Sequence, residues 1–211
     1  YFRGAQVVFK KEVGKAPKIV RIVGCGSYDP FFLNCLRSYK IVKAFSFLLN
    51  ADTLEHLICQ CHLKLPNDGT AFNRHKDIDN RINFDPDWKD IGGECSYAVG
   101  IVAVDSMHKG NGGLMLELGS HKGEENKGVF APSLDPGDFL IMHPYLIHSS
   151  GSNESEMSRM TLLTGFCVAG ANHRNYPGNC TNTLISSGRD GFLEIKNAPW
   201  KIEDDESFKV K

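Results

Sequence analysis

The alternation of apolar and polar residues divides the chain into an early helical stretch and a long series of short strands. Residues 1–30 carry brief β-like runs, "AQVVF" and "KIVRIVG", separated by Gly and Pro. In "PFFLNCLRSYKIVKAFSFLLN", Phe32, Cys35, Leu36, Tyr39, Val42 and Phe45 recur near i, i+3, i+4 spacing behind Pro30. That spacing predicts one or two helices with an apolar face, ending near Asn50. The texture then changes. "HLICQCHLKL" (56–65) reads as a strand closed by the turn "PNDG". "TAFNRHKDID", "CSYAVGIVAVDS", "GGLMLELG", "GVFAPS", "PGDFLIMHP", "YLIHSSGSN" and "RMTLLTGFCVAG" continue the series. About eight strands with turn signals between them, after a helical prelude, predict an antiparallel sandwich or barrel with helices on one face.

Composition narrows the class. A chain of 211 residues, 41% hydrophobic and 23% charged, fits a single globular domain. The formal net charge of −1 argues against nucleic acid or an anionic membrane surface as the main partner. No apolar run reaches the roughly 18–20 residues of a membrane span. The chain starts at Tyr1 rather than Met, which points to an upstream segment and leaves any targeting signal open. Seven cysteines without a CxxC pair read as free thiols rather than a zinc site or a disulfide framework, which favours a reducing, cytoplasmic compartment. Asn153-Glu-Ser and Asn179-Cys-Thr match the glycosylation triplet, a pattern that arises often by chance. Nothing in the chain fixes an oligomeric state.

Chemistry enters at "FNRHKDIDNRINF" (72–84). If 72–80 is a strand, His75 and Asp77 share one face, because side chains two apart on a strand point the same way. A later strand offers His148, with Ser150 two residues on. Two histidines and one carboxylate form a facial triad that leaves open positions on the metal, which suits non-haem Fe(II); zinc takes the same ligand types in tetrahedral geometry. The H-x-D pair alone is weak, and a solvated turn would look the same. Arg159, at the head of "RMTLLTGF", adds to it. If that side chain points inward with Thr161 and Leu163 it needs an anion, and its planar fork suits a carboxylate. An iron site that also binds a carboxylate co-substrate suggests 2-oxoglutarate, with Arg159 meeting its far carboxylate.

Over residues 56–168 these segments resemble the phytanoyl-CoA dioxygenase family of Fe(II)/2-oxoglutarate-dependent oxygenases. "GTAFNRHKD" looks like that family's proximal segment, with His75 and Asp77 as the pair. "GNGGLMLELGSHKGEENKG" looks like its Gly-Leu…Gly-Ser-His-Lys stretch, at Gly113, Leu114, Gly119, Ser120, His121 and Lys122. "PGDFLIMHPYLIHSSGSNESEMSR" looks like its distal segment, with His148 as the ligand, Ser150 as a co-substrate-contacting hydroxyl and Arg159 as the co-substrate arginine. The resemblance implies a double-stranded β-helix, a jelly-roll or cupin-like core of eight strands with flanking helices. The implied division is a β/helical flank at 1–55, the core at 56–168 and a C-terminal extension at 169–211. Three departures bear on substrate identity rather than the triad. Leu118 stands where a proline is usual, Lys76 replaces the usual glutamine between the ligands, and no helical region precedes residues 1–30.

The resemblance further implies a hydroxylase. Fe(II) would be held by His75, Asp77 and His148, with 2-oxoglutarate and O2 completing its sphere. An unactivated C–H bond of a small-molecule or acyl-type metabolite would be oxidised, with release of succinate and CO2. A protein or peptide hydroxylase of the same fold and a non-catalytic β-barrel binding module are the alternatives. Lys64 is the reserve anchor for the co-substrate and shares a strand face with Gln60 and His62, which line the site if that face points inward. Thr70 and Asn73 are candidate pocket residues. Trp88, Arg81 and Arg174 are candidate substrate contacts on loops. His121 and His143 are expected to be structural rather than ligands.

Overall fold

The computed structural model describes residues 3–91, 95–124, 127–174, 183–187 and 192–197. Strands β1 (Gln6–Lys10) and β2 (Lys18–Val23) form an N-terminal hairpin. Three helices follow: α1 (Cys25–Tyr28), α2 (Pro30–Leu36) and α3 (Tyr39–Leu48). Asp29 caps α2 by accepting from the Phe31 N–H at 2.9 Å, and Pro30 takes the first helical position, where no N–H is needed. The core strands are β3 (Thr53–Lys64), β4 (Phe72–His75), β5 (Tyr97–Ala103), β6 (Leu114–Glu117), β7 (Val129–Phe130), β8 (Phe139–Met142), β9 (His148–Ser150) and β10 (Arg159–Val168). These eight match the expected series one for one.

They form two antiparallel sheets. The larger runs β1-β2-β3-β10-β5-β8, and the smaller runs β4-β9-β6-β7. This is the expected mainly β, cupin-like class. Alternation on the larger sheet decides what faces the other sheet. On β3, Cys59 and Cys61 pack outward with Leu36 of α2 and Leu162 of β10. Ile58, Gln60 and His62 point the other way, into a cavity between the sheets. On β10, Arg159, Thr161 and Leu163 face that cavity, while Phe166 packs with Val42 and Phe45 of α3.

One expectation needs correction. The strand over 72–80 stops at His75, and Asp77 opens helix α4 (Asp77–Phe84) instead. The reason is local: "DIDNRINF" puts Ile78 and Arg81 three apart on one buried face, and Asp77 and Asp79 suit the positive end of the helix dipole. The C-terminal extension also contributes strands. β11 (Thr183–Ser187) and β12 (Leu193–Asn197) form a hairpin, and β11 pairs with β3 over residues 53–56. Fully buried Ile185 of β11 joins the cluster that includes Val42 and Phe45 of α3, so this short segment is a strand because α3 and β3 supply its burial.

All six cysteines among the described residues are free thiols, as expected; Cys180 and Asn179 lie outside them. Asn153 is fully buried and donates to the carbonyls of Lys64 (2.9 Å) and Met157 (2.7 Å), so its triplet is a structural turn and offers no acceptor for a glycan. Among the described residues no helix is long and apolar enough to cross a membrane.

Candidate metal centre

The smaller sheet brings the two histidines together. β4 and β9 pair with His75 directly opposite His148, and the ring centroids lie 4.3 Å apart. Lys76 is extended, with φ −114° and ψ 137°, so Asp77 at the first turn of α4 still returns to the side of His75. The Ile78 N–H donates to the Pro144 carbonyl at 3.1 Å, which fastens the start of α4 to the loop before β9. The Asp77 oxygens stand 3.7 Å from His75 Nε2 and 3.8 Å from His148 Nε2. One ligand atom from each of the three residues falls within 4.8 Å of the others.

The donor set fits a divalent metal. His75 Nδ1 lies 2.6 Å from the Asn73 carbonyl and His148 Nδ1 lies 2.9 Å from the Leu146 carbonyl. A carbonyl only accepts, so both Nδ1 atoms carry the hydrogen and both Nε2 lone pairs face Asp77. The Asp77 carboxylate beside His75 raises the pKa of that imidazole. A divalent cation placed in the same gap would compete with that proton for the ring nitrogen.

The second half of the site lies along β9 and β10. Arg159 is buried. It donates from Nη1 to Thr161 Oγ1 at 3.1 Å and from Nη2 to the Gly112 carbonyl at 2.6 Å, and its Nε has no partner among the described residues. Burial lowers its pKa to about 10, and the Asp105 carboxylate, which makes no bond to it, offsets only part of that loss. Paired with it across β3–β10 is Lys64, fully buried, which donates to Ser150 Oγ at 2.7 Å and to the Gly151 carbonyl. Burial and then Arg159 depress Lys64 to about 7. A buried guanidinium with no acid hydrogen-bonded to it suits a carboxylate-bearing co-substrate. Gly112 is needed where it stands: φ is +76°, and a Cβ would come within 2.8 Å of the Gly151 carbonyl oxygen and the Lys64 side chain.

The metal group and Arg159 open into one cavity of about 340 Å³. Ser150, Gln60, His62, Arg81 and Arg174 also line it. Lys64 acts from behind the wall through Ser150. Thr70 does not line this cavity; it is buried beneath the 65–70 turn, where its N–H donates to Asp68 at 2.7 Å. Asn73 is exposed and contributes only its carbonyl to His75. Trp88 packs in the core against Tyr97 with centroids 5.9 Å apart, and does not line the cavity. His121 and His143 stay out of the metal group. Their rings meet at 5.3 Å, and His121 makes no side-chain hydrogen bond among the described residues. The structural work of the Gly-Ser-His-Lys turn falls to Ser120, which donates to the Glu117 carbonyl and accepts from the Ile147 N–H, one residue before His148. Arg21 of β2, Phe72 and Asn80 also line the cavity and went unnoticed in the sequence, because cross-strand register and not spacing places them there.

A sequence profile described as phytanoyl-CoA dioxygenase matches residues 41–161. The chain belongs to the phytanoyl-CoA dioxygenase family. No curated protein sequence matches it. Solved structures share the fold at low identity. EvdMO1 superposes with a TM-score of 0.62 at 19% identity, over 76% of this chain and 38% of its own. EctD from S. alaskensis, solved with 2-oxoglutarate and 5-hydroxyectoine, gives 0.65 at 18%, over 78% of this chain and 61% of its own. The non-haem alpha-ketoglutarate-dependent epimerase SnoN from nogalamycin biosynthesis gives 0.64 at 14%, over 95% of this chain and 80% of its own. The chain thus spans less than two thirds of the length of EvdMO1 and EctD. The family is one of non-haem iron, 2-oxoglutarate-dependent oxygenases, and the His75, Asp77 and His148 group with Arg159 is the part of this chain that suits such cofactors.

Proposed function

We propose that the protein is an Fe(II)/2-oxoglutarate-dependent dioxygenase that hydroxylates an unactivated C–H bond of a small-molecule or acyl-type metabolite. The observation that carries this reading is the cavity shared by a complete two-histidine, one-carboxylate group and a buried arginine with an unpartnered nitrogen. When bound, iron and 2-oxoglutarate supply the oxidising power, with O2 consumed and succinate and CO2 released. The chain's residues do the rest. His75 and His148 present Nε2 because their Nδ1 hydrogens are held by backbone carbonyls. Asp77 contributes the negative charge that favours a divalent ion. Arg159, braced by Thr161 and Gly112, fixes the far carboxylate, and Ser150, held by Lys64, offers its hydroxyl beside it. The apolar walls from Val99, Ile101, Met142 and Leu163 limit water around the reacting bond. Reduced thiols fit a reducing compartment, the cytoplasm.

Uncoupled turnover tests the reading. Protein loaded with Fe(II) in air should convert 2-oxoglutarate to succinate, followed by NMR. The same protein under anaerobic conditions should show a visible absorption band on adding 2-oxoglutarate. Succinate no faster than in the His148→Ala variant, with no band, would overturn it.

A further inference from the structure

We propose that Arg21 holds a second anionic group in the cavity, a carboxylate or phosphate carried by the substrate that is oxidised. The inference rests on the proposed function for the co-substrate and adds the chemical class of the substrate.

Charge balance leads to it. Four arginines line the cavity (Arg21, Arg81, Arg159 and Arg174) against a single carboxylate, Asp77. Arg81 lies over the Tyr97 ring at 5.5 Å and Arg174 over Phe84 at 4.9 Å, so both are engaged. A divalent metal with Asp77 carries one net positive charge, which one carboxylate of 2-oxoglutarate offsets, and Arg159 takes the other. Arg21 is left over. Among the described residues it makes no ion pair and no side-chain hydrogen bond, and its buried Nε has no partner. Burial lowers its pKa, with no carboxylate present to raise it.

The neighbours of Arg21 cannot supply the missing charge. Across the sheet, Arg21 of β2 pairs with His62 of β3, which pairs with Thr161 of β10. His62 is pushed down to about 3 by burial and then by Arg21, Arg159 and Lys64, so it is neutral. Its Nε2 is 3.0 Å from Gln60 Oε1, and its ring stacks on Phe72 at 5.3 Å. Arg21 and Arg159 therefore flank a neutral, polar floor of His62, Gln60 and Thr161. Two strand spacings separate β2 from β10, roughly 10 Å. Arg159 is tied to Gly112 and Thr161 and does not reach across to β2. The two guanidiniums define two anion positions. Arg21 is half-buried with its Nε shielded from water, and a guanidinium fork takes either anion by paired N–H contacts.

The test uses metal-substituted Zn(II) protein under saturating 2-oxoglutarate, titrated calorimetrically with hexanoate, hexyl phosphate and neutral hexanamide. At least one anion should bind more tightly than the amide, and which one binds separates carboxylate from phosphate. Arg21→Gln should weaken that anion about tenfold or more, with Arg21→Lys recovering part of the loss. Affinity for 2-oxoglutarate itself should stay within about threefold in Arg21→Gln. Equal loss of 2-oxoglutarate binding in Arg21→Gln and Arg159→Ala would overturn the proposal, since Arg21 would then clamp the co-substrate. So would anions that bind no better than hexanamide, or anion binding that survives Arg21→Gln. Should Arg21→Gln not fold, Arg21→Met takes its place with the same outcomes required. Failure of the unaltered protein to bind 2-oxoglutarate at all strikes the proposed function, and the anion titrations then proceed without it.

Discussion

Arg159 and Lys64 sit opposite one another on paired strands, yet they do different work. Lys64 Nζ is held by Ser150 and Gly151, whereas Arg159 keeps one nitrogen without a partner. Arg159→Ala should therefore weaken 2-oxoglutarate binding to the anaerobic metal-loaded protein by roughly a hundred- to a thousandfold. Calorimetry reads this directly, and an affinity within a few-fold of the original would move the anchor to another residue. His148→Ala should abolish metal binding in an equilibrium dialysis with Fe(II), because it removes one of three ligands from a site with no spare donor in the group. Much of this scale was legible in the sequence. The spacing of His75, Asp77, His148, Ser150 and Arg159 survives the change from strand to helix at Asp77, since one extended residue separates the first pair either way. Arg21 and Asn153 were not legible. A lone arginine in "KIVRIVG" and an asparagine in "GSNES" acquire meaning only from the strands that close over them.

At the scale of elements, the turn at Gly112 joins the two halves of the site. Its carbonyl braces Arg159, and its missing Cβ makes room for Lys64 and the Gly151 carbonyl. Gly112→Ala combines a left-handed φ with a collision against backbone, so it should cost about 1–3 kcal/mol in denaturant unfolding. It should also weaken 2-oxoglutarate, because the collision displaces the Arg159 brace; full stability with full affinity would refute this account of the turn. The strand series from β3 to β10 followed from alternation and turn residues, while α4 and the β11–β12 hairpin did not. "RHKDIDNRINF" alternates well enough to pass for a strand until Ile78 and Arg81 find a common face to bury. "TLISS" is too short to signal a strand before α3 and β3 provide its other half.

Across the whole molecule, bound ligand and folding are coupled. A metal and 2-oxoglutarate that bind only the folded chain should raise its stability, by about 2.7 kcal/mol for a ligand at a hundred times its Kd. A thermal melt with Zn(II) and 2-oxoglutarate should show that rise and lose it in Asp77→Ala. Protons act in the opposite sense through His56. This fully buried imidazole accepts from Arg37 Nε at 2.8 Å and lies 2.9 Å from Thr164 Oγ1, and burial and then Arg37 hold its pKa well below the ordinary value. Below pH of about 6.5 the unfolded chain takes up a proton that the folded chain refuses, so stability should fall as pH drops, by at most about 1.4 kcal/mol per pH unit from this residue. The difference in unfolding free energy between pH 7 and pH 5 should shrink in His56→Gln, and an unchanged difference would assign the loss to other groups.

The twelve-residue strand β3 has β10 along one edge, but its other edge is shared between two partners. β2 covers residues 60–62 and β11 covers residues 53–56. Segments from opposite ends of the chain thus act as two clasps on one seam. Shortening either end would leave half of that seam open, with unpaired N–H and C=O groups able to template another copy. A truncation removing β1 and β2 should therefore yield exchanged dimers or aggregates in light scattering, and it should discard Arg21 in the same cut.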